Sequence, residues 1–268
     1  MGKKYQFVDE GKKHLHTLDG VPLYGTSTVV GILAKPLTWW AAGLAVAKFG
    51  WRNPKKETEE ACRVALEAGY DMVHKLSLIE YGTLLNDAYR AHADNLKVSA
   101  DVGIDMHAEL EKYVKACLAA GGAPLAIEKS DELHKAVELF AEWSLKNVEQ
   151  FLFSEGHCYS EKHWVGGITD AGAKMKKGGI AIIDFKSTDA AYYSQFVQEG
   201  GYAVQVEENG ILTREGGQIL PPFKADELII VPFRNAKIAP RSVQNVEGFK
   251  QSFLGALLNY QMSSAFDE

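Results

Sequence analysis

FLFSEGHCYSEKHWVGGITDAGAKMKKGGIAIIDFKST, residues 151–188, contains three runs of apolar and β-branched residues that are separated by short turn-forming segments. This pattern is typical of three consecutive β-strands. The Lys-Lys-Gly-Gly segment at 176–179 predicts a hairpin turn between the second and third strands. These two strands are therefore expected to run antiparallel, with their ends remote from the turn lying side by side.

Charged residues stand at those remote ends. Asp184 and Lys186 follow the apolar run at 180–183, and residues two positions apart on a strand point to the same face. Asp170 lies six residues before Lys176 and Asp184 lies five residues after Gly179, so the two carboxylates are expected to be close. Close carboxylates repel unless a proton or a cation separates them, and oxygen ligands favour Mg²⁺ or Mn²⁺. The hairpin therefore predicts a site for one of these ions.

Helices are predicted on both sides of this hairpin in the sequence. Residues 5–33 predict short strands and turns, a helix is expected to begin near Pro36, and Ser130 is a candidate N-cap. Helical periodicity is present at 38–51, 55–76, 80–96, 103–122, 131–152, 192–210 and 245–262, and a buried strand is predicted at 225–233. This order favours an α/β fold. We expect residues 1–100 to be a strand and helical N-terminal extension and residues 101–268 to be the core, together forming one compact unit.

Composition and charge argue against several classes of protein. The chain has 268 residues and a net charge of −6, which disfavours a protein that grips duplex DNA over a broad surface. Its longest uncharged apolar stretch, at 36–46, is far shorter than the roughly 20 residues of a membrane span. The first 13 residues lack the apolar core of a signal peptide. We therefore expect a cytoplasmic protein that makes no contact with a membrane.

Four short motifs follow one another between residues 103 and 202: Gly103-Ile-Asp-Met-His107, Gly167-Ile-Thr-Asp170, Asp184-Phe-Lys186 and Gln198-Glu-Gly-Gly-Tyr202. In type and order they resemble the motifs of the RecB-like PD-(D/E)XK nucleases. That superfamily includes phage exonucleases, CRISPR-associated exonucleases and the mitochondrial genome maintenance exonuclease. The resemblance covers residues 103–232, about half of the chain. Because the iron–sulfur members use four cysteines and this chain has three, it resembles the cluster-free branch.

The resemblance implies a fold and a role for each matched residue. The fold would be a restriction-endonuclease-like core, a mixed central sheet flanked by helices. Lys186 would orient the attacking water or stabilise charge on the phosphate, and Gln198 and Tyr202 would brace Lys186 or contact DNA. Glu155 matches an acid that often lies behind the metal ligands. The metal ligands themselves would be His107, Asp170, Asp184 and the backbone carbonyl of Phe185, holding Mg²⁺ or Mn²⁺.

The function that the resemblance implies is metal-dependent hydrolysis of phosphodiester bonds in DNA, by an exonuclease of the kind used in phage-type recombination. The implied partners are DNA, a single-strand annealing protein and further copies of the chain. Two other interpretations stay open: a structure-selective or restriction-like endonuclease, and a non-catalytic DNA-binding protein on the same fold.

Each candidate residue also has an ordinary structural explanation. His107 borders an apolar helix face and could be a core histidine, while Asp184 and Lys186 could be an ion pair at a strand end. Gln198 and Tyr202 could be packing residues, and the two glycines between them weaken the helix on which they would share a face. These explanations account for the residues singly, whereas the nuclease hypothesis accounts for their joint order.

Overall fold

The computed structural model describes residues 4–10, 13–33, 38–127, 135–234 and 237–266. Within these residues the α-helices are α1 (Thr26–Val30), α2 (Thr38–Ala47), α3 (Glu59–Val73), α4 (Leu78–Ala119), α5 (Lys135–Asn147), α6 (Tyr193–Asn209) and α7 (Val246–Phe266). A 3₁₀ helix, Gly31–Leu33, follows α1. The strands are β1 (Tyr5–Glu10), β2 (Lys13–Leu18), β3 (Val21–Pro22), β4 (Tyr24–Gly25), β5 (Val148–Ser160), β6 (Val165–Met175), β7 (Ile180–Lys186), β8 (Ile211–Leu212), β9 (Gln218–Leu220), β10 (Glu227–Pro232) and β11 (Arg241–Val243).

A mixed sheet holds the strands that carry the predicted site. Its order is β11-β10-β7-β6-β5-β8-β9, and β4 pairs with β6 outside this path. The β5–β6 and β6–β7 pairs are antiparallel, whereas β7 and β10 are parallel. Parallel neighbours need a long crossover connection, and α6 lies in the connection between β7 and β10. The chain is therefore a mixed α/β protein, and the predicted hairpin is present as β6 and β7.

Strand β7 separates two apolar cores. Ile183 and Phe185 pack on one face of the sheet with side chains of α4 and α5. Ile182 packs on the other face with side chains of α6. Because side chains alternate along a strand, Asp184 and Lys186 are turned toward α6.

The chain divides into two compact units, one of residues 1–34 with 103–268 and one of residues 35–102. The sequence grouped residues 1–100 as a single extension, whereas the structure assigns the first strands to the unit that contains the sheet. The physical reason is pairing: Tyr24 and Gly25 of β4 lie in parallel register with Val165 and Gly166 of β6. The other unit contains α2, α3 and the first part of α4.

Two predicted helix boundaries are wrong. Helices predicted at 80–96 and 103–122 are one continuous helix, α4. The intervening residues contain no proline, and Gly103 alone costs only about 1 kcal/mol, which does not end a helix. The helix predicted to reach residue 152 ends at Asn147, because Val148 and Phe151 are buried in the sheet's core as part of β5. Pro36 and Ser130 lie outside the described residues.

No single helix in the described part of the chain is long and apolar enough to cross a membrane. The helical segments Thr26–Leu33 and Thr38–Ala47 reach the length and apolar composition of a membrane span only when they are counted together.

Candidate functional site

Asp170 and Asp184 stand where β6 and β7 stop pairing. The register runs from Lys174 opposite Ile180 to Ala171 opposite Ile183, so the two acids would be the next pair. In place of a further ladder bond, the backbone N–H of Phe185 donates to Asp170 Oδ2 at 2.7 Å. The strands therefore open at this point, and a carboxylate occupies the opening.

A kink in β5 lies directly across from this opening. Phe153 and Cys158 both pack toward α6 although they are five residues apart, which a regular strand would not allow. Glu155, between them, has a φ of 47°, a left-handed conformation that is uncommon outside glycine. In the β5–β6 register Ser154 lies opposite Ala171 and Gly156 opposite Thr169, so Glu155 falls at the level of Asp170. The strained residue thus redirects β5 at the level of the acid pair.

Lys186 connects the hairpin to α6. Its Nζ lies 2.6 Å from Asp184 Oδ2 and donates to Gln198 Oε1 at 3.3 Å. Gln198 Nε2 in turn donates to Tyr202 Oη at 2.7 Å. Burial would lower the pKa of Lys186, but the charges of Asp184 and Asp170 outweigh it, so the pKa lies above its usual value. The ammonium is therefore charged at neutral pH and is held at a defined position by the Gln198–Tyr202 pair.

Glycine in the second motif makes room for the tyrosine of the last. A Cβ at Gly167 would lie 2.5 Å from Tyr202 Cε1. At this distance a side chain at position 167 would fit only if neighbouring atoms moved. Tyr202 is 4% exposed and packs in the core between the sheet and α6. The two motifs therefore fit together through direct packing of β6 against α6.

His107 reaches the acid pair from α4. Its Nδ1 lies 3.7 Å from Asp170 Oδ2, and its ring packs edge-on against Phe233 with 5.1 Å between centroids. Burial lowers the pKa of His107, with the charge of Asp184 opposing that change. The imidazole is therefore neutral near pH 7, which is the form that binds metal ions.

The two remaining predicted residues are placed differently. The ring of Phe185 is buried beneath α5, 5.0 Å from the Phe140 ring, and the metal-ligand role of its carbonyl stays a prediction. Glu155 lies at the border of the site rather than within it. Its side chain is about half exposed (51%), and its carboxylate lies 3.5 Å from Lys115 Nζ on α4.

Glu199 is a buried acid that the four motifs did not single out. It is fully buried (0% exposed), and neither carboxylate oxygen has a hydrogen-bond partner in the described part of the chain. Burial, followed by the charge of Asp184, raises the pKa of Glu199 well above its usual value. One signal for it was available in the sequence: it occupies the helical stripe of Phe196, Ala203 and Val206, which is otherwise apolar.

The balance of charge in this site suits a divalent cation. Asp170, Asp184 and Glu199 face one lysine, and burial together with the charge of Asp184 raises the pKa of Asp170 to about 8. Buried acids in excess must take up protons or bind a cation. Two carboxylates, a neutral imidazole and a carbonyl are also a donor set that Mn²⁺ or Mg²⁺ accepts. In the side-chain positions that the structure describes, however, no three His, Cys, Asp or Glu groups converge into a complete metal-binding cluster.

Comparison with known proteins assigns no function to this chain. No family model and no curated protein matches the chain. One solved structure with some likeness, "Crystal structure of SSO0001", has a TM-score of 0.25 and 13% sequence identity. The match covers 46% of this chain and 57% of that one, so this chain spans less than two thirds of that structure. At such a TM-score the likeness assigns neither a fold nor an activity.

Proposed function

We propose that this chain is a metal-dependent deoxyribonuclease with a RecB-like PD-(D/E)XK site on a restriction-endonuclease-like core. One observation carries the proposal: buried Asp184 and partly buried Lys186 form an ion pair at the opening of the β6–β7 hairpin, and Lys186 is linked to Gln198 and Tyr202 of α6. An acid pair, a lysine and a bracing helix serve no packing purpose that apolar residues would not serve better. Phosphodiester hydrolysis, in contrast, uses groups of these kinds.

The residues have separate tasks in this proposal. His107, Asp170, Asp184 and the Phe185 carbonyl would hold Mg²⁺ or Mn²⁺, which when bound polarises the scissile phosphate and acidifies a water molecule. Lys186 is charged and aimed by Gln198, so it would stabilise negative charge that develops on the phosphate. Tyr202 fixes the side chain of Gln198 and is a positioning residue.

An exonuclease is the form of the activity that we propose, since the histidine and the Gln198–Tyr202 segment are the features shared with exonucleases by resemblance. The test compares end-labelled linear DNA with a covalently closed circle in the presence of Mn²⁺. An exonuclease removes the linear form only. Cutting of both forms would identify an endonuclease, and cutting of neither would contradict the catalytic proposal.

Asp184→Ala tests the site within the same assay. The change removes a carboxylate from the acid pair and the partner of Lys186, so we expect the rate to fall by at least about a hundredfold. Asp87→Asn, on an exposed position of α4, is the matched control and should keep the wild-type rate. Near-wild-type cutting by Asp184→Ala would refute the assignment of the site.

A further inference from the structure

A cavity of about 400 Å³ adjoins the candidate site. It is lined by residues of β1, β2, β5, β6, β9, α4 and the turn between β8 and β9. Ser154 and Glu155 belong to its wall, and Glu155 falls at the level of Asp170 in the β5–β6 register. Ile168 also lines it, two residues from Asp170 on β6, a distance of about 7 Å along a strand. A molecule in this cavity would therefore be a near neighbour of the acid pair.

Aromatic rings form one wall of the cavity. The rings of Phe7 and His14 are stacked, with 5.7 Å between centroids and 6° between their planes, and the His157 ring lies 5.0 Å from that of Phe7. The guanidinium of Arg214 lies over the Phe7 ring at 5.0 Å. Burial lowers the pKa of His157 to about 4, so this imidazole is neutral at pH 7. Flat rings and a guanidinium plane are surfaces on which nucleobases stack.

Arg214 is also a cation without an acid partner. It is exposed, and no carboxylate of the described residues lies within ion-pair distance of it, although the chain has 35 acidic residues against 29 basic ones. Its backbone carbonyl accepts a hydrogen bond from Phe7 N–H at 3.2 Å, which holds the β8–β9 turn over β1. Lys115, the other cation of the cavity, is already paired with Glu111 and Glu155. Arg214 is therefore the group in this wall that is available to an anion.

We propose that this cavity binds one unstacked nucleotide of a single strand beside the bond that is cut. The stacked rings of Phe7 and His14 contact the base, and Arg214 contacts a phosphate. The volume suits one nucleotide, because small-molecule sites span about 300–1,000 Å³. The inference rests on the proposed nuclease function and adds to it a preference for single-stranded ends, since a base within a duplex could not enter the cavity.

The test measures binding without cleavage. Full-length protein is titrated against a fluorescein-labelled oligothymidylate in Ca²⁺ and no Mg²⁺ or Mn²⁺, with fluorescence anisotropy as the readout. Arg214→Ala and Phe7→Ala should each weaken binding by about tenfold. Arg241→Ala makes the same charge change on β11, at the opposite edge of the sheet, and should alter binding less than twofold. Phe7→Leu keeps an apolar side chain and separates loss of stacking from loss of folding.

The outcomes separate this inference from the proposed function. Equal binding by wild type, Arg214→Ala and Phe7→Leu would overturn it, as would an equal loss in Arg241→Ala or tighter binding of a duplex of the same length. A protein that binds through Arg214 yet cuts no DNA would retain the nucleotide cavity and contradict the nuclease. A protein that cuts DNA but binds it independently of Arg214 would support the nuclease function and contradict the nucleotide cavity.

Discussion

Asp170 and Glu199 are acids whose surroundings favour the protonated form. Burial and the charge of Asp184 raise the pKa of both, that of Asp170 from 3.8 to about 8. An acid with a raised pKa in the folded state binds more protons in the folded protein than in the unfolded chain. The free energy of unfolding therefore falls as pH rises between the two pKa values. For Asp170 this interval extends from about pH 4 to about pH 8. The site is therefore a source of instability at neutral pH that a bound cation would relieve.

The sign of this effect gives a measurement. In EDTA, the free energy of unfolding should fall more steeply between pH 5 and pH 8 for the wild type than for Asp170→Asn, because the variant has no carboxylate to ionise. Glu199→Gln should likewise make the free energy of unfolding fall less between pH 5 and pH 8 than it does in the wild type. Urea unfolding at the two pH values measures the difference. Asp87→Asn, at an exposed position, should match the wild type; parallel curves for Asp170→Asn and wild type would contradict the pKa shift.

The sequence could supply single residues of the site but not their environment. Asp170, Asp184 and Lys186 were recognisable because strand alternation and a hairpin turn bring them together. The left-handed backbone of Glu155 was not recognisable, since it depends on both β5 faces being packed. The function of Gly167 also depends on tertiary structure, because its neighbour Tyr202 is 35 residues away in sequence.

Helix α6 contains two adjacent glycines for a reason that its own propensity cannot show. A Cβ at Gly200 would lie 2.3 Å from the Phe249 carbonyl oxygen, so the glycine permits close contact of α6 with α7. A Cβ at Gly201 would lie 2.6 Å from the Phe253 ring. The glycines that weaken the helix in isolation, by about 1 kcal/mol each, allow it to pack where it carries Gln198 and Tyr202.

Alanine substitution at two glycines tests this packing. Gly200→Ala should destabilise the protein by about 1–3 kcal/mol, because backbone must move to admit the methyl group and this outweighs the gain in helix propensity. Gly255→Ala, in α7, meets no atom within 4 Å and should be neutral or stabilising by up to about 1 kcal/mol. Urea denaturation of the two variants measures both. A Gly200→Ala protein as stable as Gly255→Ala would show that α6 and α7 are not in close contact.

Long elements were easier to predict than short ones for a physical reason. Strands β6 and β7 and helix α6 each contain enough residues to show a period. Strands β8, β9 and β11 have two or three residues, and a period cannot be read from so few. They form because an edge of an existing sheet offers backbone hydrogen-bond partners. Their formation therefore depends on the tertiary structure and not on the sequence of the segment itself. The β8–β9 turn that presents Arg214 was therefore missed together with its strands.

Charge is unevenly distributed over the chain. The segment 35–102 has nine acidic and nine basic residues, so the whole net charge of −6 belongs to the unit that contains the candidate site. A nuclease on such a unit cannot hold DNA by a broad electrostatic surface. The proposed nuclease is therefore expected to use few phosphate contacts, with base stacking and a bound cation providing the remaining affinity.

Few phosphate contacts predict weak dependence of DNA binding on salt. For a single strand, the slope of log K against log salt is about −0.7 for each phosphate that is neutralised, so two to four contacts give a slope of roughly −1.5 to −3. Arg214→Ala should make the slope shallower by about 0.7, whereas Arg241→Ala should leave it unchanged. Anisotropy titrations in Ca²⁺ over a series of KCl concentrations measure all three slopes. A wild-type slope steeper than about −6 would require a broad basic surface, which the acidic unit does not provide, and would contradict the local contact argued from Arg214.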